Sequence, residues 1–221
     1  DAMMARTRRR PIPSGRIETP YAVAFSALLG VAAFVELAVL VNLASAVLAL
    51  AALGIYVLVY TVWLKRSTPQ NIVIGGAAGA MPPLVGWAAA TGRVELPALM
   101  LFLIIFLWTP PHFWALALYR REEYAQAGVP MLPVVAGDEA TRRQIVLYSL
   151  LLVAATFALL PLGAMGRVYA VSALALGALF IVLAVRLWRE RSARSALRLF
   201  GYSMAYLALL FAAMVVDRLT V

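Results

Sequence analysis

Seven apolar runs, each about 20 residues long, cover the chain from residue 21 to residue 216, with short polar loops between them. They fall at 21–41, 44–63, 71–90, 97–118, 144–162, 168–186 and 198–216. Each has about the length that a helix needs to cross the hydrocarbon of a bilayer. The runs are continuous and do not alternate, which predicts helices and not barrel strands. The pattern therefore predicts an all-α integral membrane protein, a helical bundle with seven transmembrane helices. Residues 21–221 read as one transmembrane domain, preceded by an Arg-rich loop over 1–20. The third run, NIVIGGAAGAMPPLVGWAAA, carries Gly75, Gly76, Gly79, Pro82 and Pro83. A break is predicted there, and it serves either close packing on a neighbour or the wall of a cavity.

Composition agrees with that class. Hydrophobic residues make up 64% of the 221 residues and charged residues 13%, far from the balance of a soluble domain. There is no Cys, so disulfides and thiolate metal sites are excluded. The net charge of +9 is no nucleic-acid signal, because the basic residues sit in the loops between spans. All 19 Lys and Arg but Arg93, Arg167 and Arg218 fall in one set of alternating loops. That bias predicts that this set faces the cytoplasm or its equivalent. The polar chemistry lies in the same loops, so a site would open at that face. Trp63, Trp87, Trp108, Trp114 and Trp188 fit an aromatic belt at the interfaces.

Three loop segments and two intramembrane residues could carry chemistry. The first segment runs DAMMARTRRRP. Arginines grip phosphate, and a neighbouring carboxylate such as Asp1 can hold a divalent metal against it. A plain positive-inside anchor explains Arg6 and Arg10 equally. In the second, WLKRSTPQN, topology alone accounts for Lys65 and Arg66. Gln70 and Asn71 need partners, from the backbone or a ligand. In the third, Tyr119 and Glu123 share a face if the helix continues, and Arg120 can pair with Glu123. Glu122, Glu123 and their arginines suit a metal and a phosphate, or a self-paired solvated loop. His112 follows a Pro-Pro pair inside an apolar span. It is either a core imidazole bonded to a freed carbonyl or a ligand for a metal or heme iron. Glu36, roughly 22 Å above Tyr21 at 1.5 Å per residue, lies at the far end from this site and reads as structural or interfacial.

Together these segments resemble the heme O synthases, the protoheme IX farnesyltransferases of the UbiA-type membrane prenyltransferase superfamily. Members carry N-x-x-x-D-x-x-x-D running into D-x-x-M-x-R-T-x-x-R-P, and Asp1, Met4, Arg6, Thr7, Arg10 and Pro11 fit its tail in register. Residues 63–83 and 111–133 look like the next two signature stretches, in the right order. The resemblance implies nine spans around a central cavity. The chain would then lack two spans and the start of the first motif, and the fragment alone would be inactive.

The implied reaction moves a farnesyl group from farnesyl diphosphate to a vinyl group of heme B, with Mg²⁺ and cations neutralising the leaving diphosphate. Asp1 would be a Mg²⁺ ligand. Arg6, Arg10, Lys65, Arg66, Asn71 and Arg120 would bind the diphosphate or order the cavity mouth. Tyr119 and Glu123 would stand at the second acidic motif as catalytic residues. Glu123 replaces the usual Asp there, which leaves its direct metal ligation open. His112 would be a heme-binding candidate. The expected setting is a bacterial plasma membrane, or the mitochondrial inner membrane of a eukaryote. Beyond the bilayer and the two substrates, heme A synthase or terminal-oxidase assembly proteins are the partners implied, and no nucleic acid. Two competing readings are a prenyltransferase for an aromatic or quinone precursor and a non-catalytic multi-pass transporter or binding protein. Transport would make Glu36 essential and Glu123 dispensable.

Overall fold

The structure, a computed structural model, describes residues 7–220. Every regular element among them is helical. Helix α1 (Thr19–Leu40) starts with a proline in its first turn, where the missing N–H costs nothing. Asn42 then caps α2 (Leu43–Gly54), its Oδ1 accepting from the Ser45 N–H at 2.9 Å. Its Nδ2 donates to the Ala88 carbonyl at 2.8 Å, so one amide both starts α2 and latches it to the end of the third span. The second span continues as a π-helical segment, Ile55–Trp63, and a 3₁₀ turn, Leu64–Arg66. Within the π segment Thr61 donates to the carbonyl of Tyr56 at 2.8 Å.

The third span is broken as its sequence predicts, into α3 (Asn71–Ala80) and α4 (Pro82–Thr91). Close packing explains two of its glycines. A Cβ on Gly75 would lie 2.3 Å from the Tyr60 ring, and one on Gly76 would lie 3.0 Å from Thr109. Gly79 faces open space. Helix α5 (Leu96–Tyr119) contains Pro110 and Pro111, which leave the carbonyls of Phe106 and Leu107 without helical donors. The short helices α6 (Arg121–Gln126) and α7 (Leu132–Val135) cross the loop to α8 (Gly137–Phe157). Helices α9 (Arg167–Glu190) and α10 (Ala193–Leu219) follow.

Among the described residues six helical spans are long and apolar enough to cross a membrane, and the chain is a multi-pass membrane protein. The predicted seventh, 144–162, falls on α8 and differs from the pattern's expectation. That helix begins earlier, with Asp138, Glu139, Arg142 and Arg143 in its first two turns, and ends at Phe157. Those four charges remove it from the set of uniformly apolar helices.

Packing runs from α1 onto α2, from α2 onto α3 and α4, and from these onto α5; α5 meets α8 and α10, and α9 meets both. The main core lies among α5, α8, α9 and α10, around Ile104, Trp114, Ile145, Phe180 and Leu199. Trp114 is thus interior, not part of an aromatic belt, and the Trp108 indole donates to the Ser203 carbonyl at 2.8 Å. Trp114 lies on the face of α5 that meets Tyr148 of α8, and Trp108 on the face that meets α10. Polar groups in this core pair with one another, as Tyr206 with Thr156 (3.0 Å) and Tyr169 with the Thr156 carbonyl (2.8 Å). Buried Asp217 accepts from the N–H groups of Gly166 and Tyr169 and so closes the start of α9.

Candidate functional site

The loop before α1 folds back through a run of turns, with the Arg16 guanidinium donating to the Arg9 carbonyl and to Ser14. This places Arg10 across from Lys65, at the end of the second span. Together with Ile12, Ile17, Tyr21 and Phe25 the two cations line one cavity of about 790 Å³. A lining that combines two cations with aliphatic and aromatic side chains suits a ligand with an anionic head and an apolar body. Arg66 is exposed and lies outside that lining. Asp1 and Arg6 fall outside the described residues.

Asn71 is the first residue of α3 and only 1% exposed. Neither its Nδ2 nor its Oδ1 has a hydrogen-bond partner among the described residues. A buried amide left unpaired costs about 1–3 kcal/mol. Gln70 beside it is exposed.

The second cluster corrects one expectation. The helix does not continue past Tyr119, because Arg120 leaves helical geometry (φ −108°, ψ 25°) before α6 begins. Tyr119 and Glu123 therefore do not share the face of one helix. They still line a common cavity of about 550 Å³ with Arg120, Arg121 and Asp138. One Arg120 nitrogen donates to both Glu123 oxygens, at 2.9 and 3.1 Å. Arg121 reaches Asp138 at 3.5 Å, and Asp138 in turn meets Arg142 at 3.3 Å. Neighbouring Glu139 collects the Trp188 indole at 3.0 Å, Arg143 at 3.3 Å and Arg191 at 3.5 Å. The Trp188 hydrogen bond first, then Arg191 and Arg143, hold its carboxyl below the ordinary range. This α8–α9 corner had no counterpart in the sequence reading, although four charges ahead of an apolar run were a usable signal.

His112 is buried, 7% exposed. It stacks between Trp108 and Phe200, with ring centroids 4.3 and 4.5 Å away. Its Nδ1 lies 2.7 Å from Ser203 Oγ. The bond that a core imidazole needs is thus made to a hydroxyl on α10 and not to a carbonyl freed by Pro110 and Pro111. Phe200 and Ser203 were not singled out from the sequence, and Trp108 was read only as part of an aromatic belt.

Three separate groups emerge: Arg10 with Lys65, Tyr119 with Arg120 and Glu123, and His112 with its aromatic neighbours. Among the described residues no three His, Asp or Glu side chains gather as a metal site. Glu123 is engaged by Arg120, which competes with a cation for the same two oxygens, and Glu122 beside it is exposed. Glu36 is exposed near the far end of α1, and Asn42 is used up in capping.

The profile of the UbiA prenyltransferase family matches residues 1–213. The chain is 57% identical over 218 residues to the protoheme IX farnesyltransferase of Roseiflexus sp. (strain RS-1), covering 99% of this chain and 41% of that protein. It is 58% identical over 218 residues to the protoheme IX farnesyltransferase of Gloeobacter violaceus, covering 98% of this chain and 72% of that protein. The chain thus spans about two fifths of the first relative and about seven tenths of the second. A solved structure described for digeranylgeranylglyceryl phosphate synthase in membranes matches at a TM-score of 0.79 and 23% identity, over 98% of this chain and 76% of that one. That likeness is one of fold. By its sequence match over residues 1–213, the chain belongs to the UbiA prenyltransferase family.

Proposed function

We propose that the whole protein transfers the farnesyl group of farnesyl diphosphate to a vinyl group of heme B and so makes heme O. The observation that carries this reading is the cavity that Arg10 and Lys65 line together with Ile12, Ile17, Tyr21 and Phe25. Its chemistry matches a prenyl diphosphate, with an anion at the mouth and a hydrocarbon chain below. The acceptor is taken from the names of the relatives that match nearly the whole chain at 57–58% identity.

In this reading the allylic carbon–oxygen bond breaks and its electron pair leaves on the diphosphate. Arg10 and Lys65 stabilise that charge, with Arg6 and Arg66 adding to the basic mouth. The vinyl π pair forms the new carbon–carbon bond. Water then adds to the resulting cation and loses a proton. An apolar cavity keeps other water from the allylic cation until the vinyl group attacks. Asn71 supplies a buried donor and acceptor at the mouth. Tyr119, Arg120 and Glu123 form the second motif as catalytic and diphosphate-binding residues, and His112 meets the heme. Mg²⁺, held by Asp1 and by Glu123 once Arg120 releases it, would neutralise the diphosphate. The protein would work in the bacterial plasma membrane with its basic loops cytoplasmic, near heme A synthase or terminal-oxidase assembly proteins.

The test uses membranes containing the full-length protein expressed from its gene, given heme B, farnesyl diphosphate and Mg²⁺. A heme heavier by one farnesyl plus one water is expected, reduced at least tenfold by Lys65→Ala or Glu123→Gln. A folded, inserted protein that makes no such product overturns the assignment.

A further inference from the structure

The corner where α8, α9 and α10 meet holds a further cavity, of about 200 Å³, whose walls include Arg142, Arg191, Ser192, Ala193 and Asp138. It shares only Leu118 and Asp138 with the cavity of Tyr119 and Glu123. Its volume is several times the roughly 30 Å³ that a water takes in the liquid, which leaves room for a phosphate group.

Both arginines have unused donors. Arg142 exposes 12% of its side chain and gives one hydrogen bond, to Asp138 at 3.3 Å. Its Nε is buried and has no hydrogen-bond partner among the described residues. A buried charged donor is costly without an acceptor, and an oxyanion in the cavity would supply one. Arg191 is the one non-glycine residue with a positive φ, 52°, among the described residues. That left-handed position after a helix suits Gly, which has no Cβ to clash. An arginine there costs the backbone something and gains the cavity a guanidinium. The described side-chain partner of Arg191 is Glu139, at 3.5 Å, beyond the usual hydrogen-bond range. Glu139 also holds Trp188 and Arg143, so Arg191 can leave it without stranding the carboxylate.

Helix α10 starts at the same cavity. Ser192 caps it by accepting from the Ser195 N–H at 3.1 Å, while the N–H groups of Ala193 and Arg194 have no acceptor among the described residues. Such a helix start favours negative charge. The corner also stays basic after its internal pairing. Residues 138–143 carry two Arg and two acids, but residues 186–198 carry five Arg and one Glu. Trp188 is partly exposed beside them, and a Trp with basic residues at the end of a membrane-length helix marks head-group depth.

We propose that this corner is a phosphate site, in which Arg142, Arg191 and the open N–H groups of α10 grip the oxygens of one phosphate group. An acidic phospholipid and a free phosphate share that chemistry, and basic pockets between membrane helices at the cytoplasmic side take acidic head groups. The site is separate from farnesyl transfer and does not rest on that reading.

The test uses the full-length protein in two arms. In the first, native mass spectrometry compares retention of phosphatidylglycerol with that of phosphatidylcholine, whose choline cation the basic corner repels. In the second, calorimetry follows inorganic phosphate added to the protein in phosphatidylcholine nanodiscs. The wild type should retain phosphatidylglycerol preferentially if the ligand is a lipid, and should give saturable heat if it is free phosphate. Arg191→Gly suits the left-handed backbone, so it should unfold no earlier than the wild type and yet bind at least tenfold more weakly, as loss of a charged hydrogen bond predicts. Arg142→Ala should weaken binding as much, whereas Arg198→Ala, an exposed arginine outside the lining, should change it far less. Neither lipid preference nor phosphate heat in the wild type overturns the proposal. So do equal losses in Arg191→Gly and Arg198→Ala, which would mean a diffuse basic surface and not a site.

Discussion

Helix α1 and helix α10 are both apolar membrane-length helices, yet they are held in opposite ways. Helix α1 buries none of its residues. Helix α10 buries eight, among them Ser203, Tyr206 and Asp217. In hydrocarbon an apolar side chain gains little by leaving lipid for protein, so association depends on close packing and on hydrogen bonds. Helix α10 has both: Tyr206 with Thr156, Asp217 with the start of α9, and Ser203 with His112. The polar residues of α1 are Thr19, Tyr21, Ser26 and Glu36, and the one described bond of Ser26 goes back to its own helix, to Ala22. The comparison teaches that polar groups, and not hydropathy, set which spans are tied to their neighbours by side-chain bonds among the described residues. The His112 site sits among helices tied by such bonds, whereas the Arg10–Lys65 cavity sits against α1.

The contrast is sharpest where the two halves meet, at α3. Gly75→Ala should cost about 1–3 kcal/mol, as overpacking does, because its Cβ would lie 2.3 Å from the Tyr60 ring. Gly79→Ala, one turn along and facing open space, should cost nothing. Thermal unfolding of both variants in nanodiscs checks this, and equal shifts would remove the close-packing account of α3. A smaller effect on stability but a full effect on binding is expected at Asn71. Asn71→Leu should leave the unfolding temperature unchanged or raise it, since it removes two buried polar atoms without partners. It should also abolish prenyl diphosphate binding by calorimetry. A large loss of stability with binding intact would mean that the amide is structural.

The smallest effect belongs to the α8–α9 corner. Glu139 is held below its ordinary value of 4.5, so its charged form is favoured in the folded state. Its contribution is present above the unfolded value and is lost as pH falls through the folded one. Stability should therefore show no Glu139-dependent change from pH 7 to pH 5. Below the ordinary carboxylate range, the difference between wild type and Glu139→Gln should shrink towards zero. A difference that persists at low pH would show that the corner is held by packing and not by charge.

Much of the architecture was legible because lipid imposes a simple rule. Every backbone group in hydrocarbon must be bonded internally, so an apolar run of the right length becomes a helix. The break at Met81, the proline-bearing α5 and the pairing of Arg120 with Glu123 all followed from residues close in sequence. The start of α8 did not, because charged residues inside a helix look like loop when only apolar length is read. The turn at Arg120 was hidden for a related reason, since nothing in YRREEY breaks a helix by propensity alone.

By itself the sequence determined the all-helical membrane class and the family, both of which depend on local composition and on motifs held within single segments. Only the tertiary structure decided that Arg10 and Lys65 share a cavity, that Asn71 is buried without a partner, and that Ser203, 91 residues away in sequence, meets His112. Those facts depend on which helix faces which. In a membrane, apolar periodicity carries almost no information on that point, because lipid and protein interior are equally apolar.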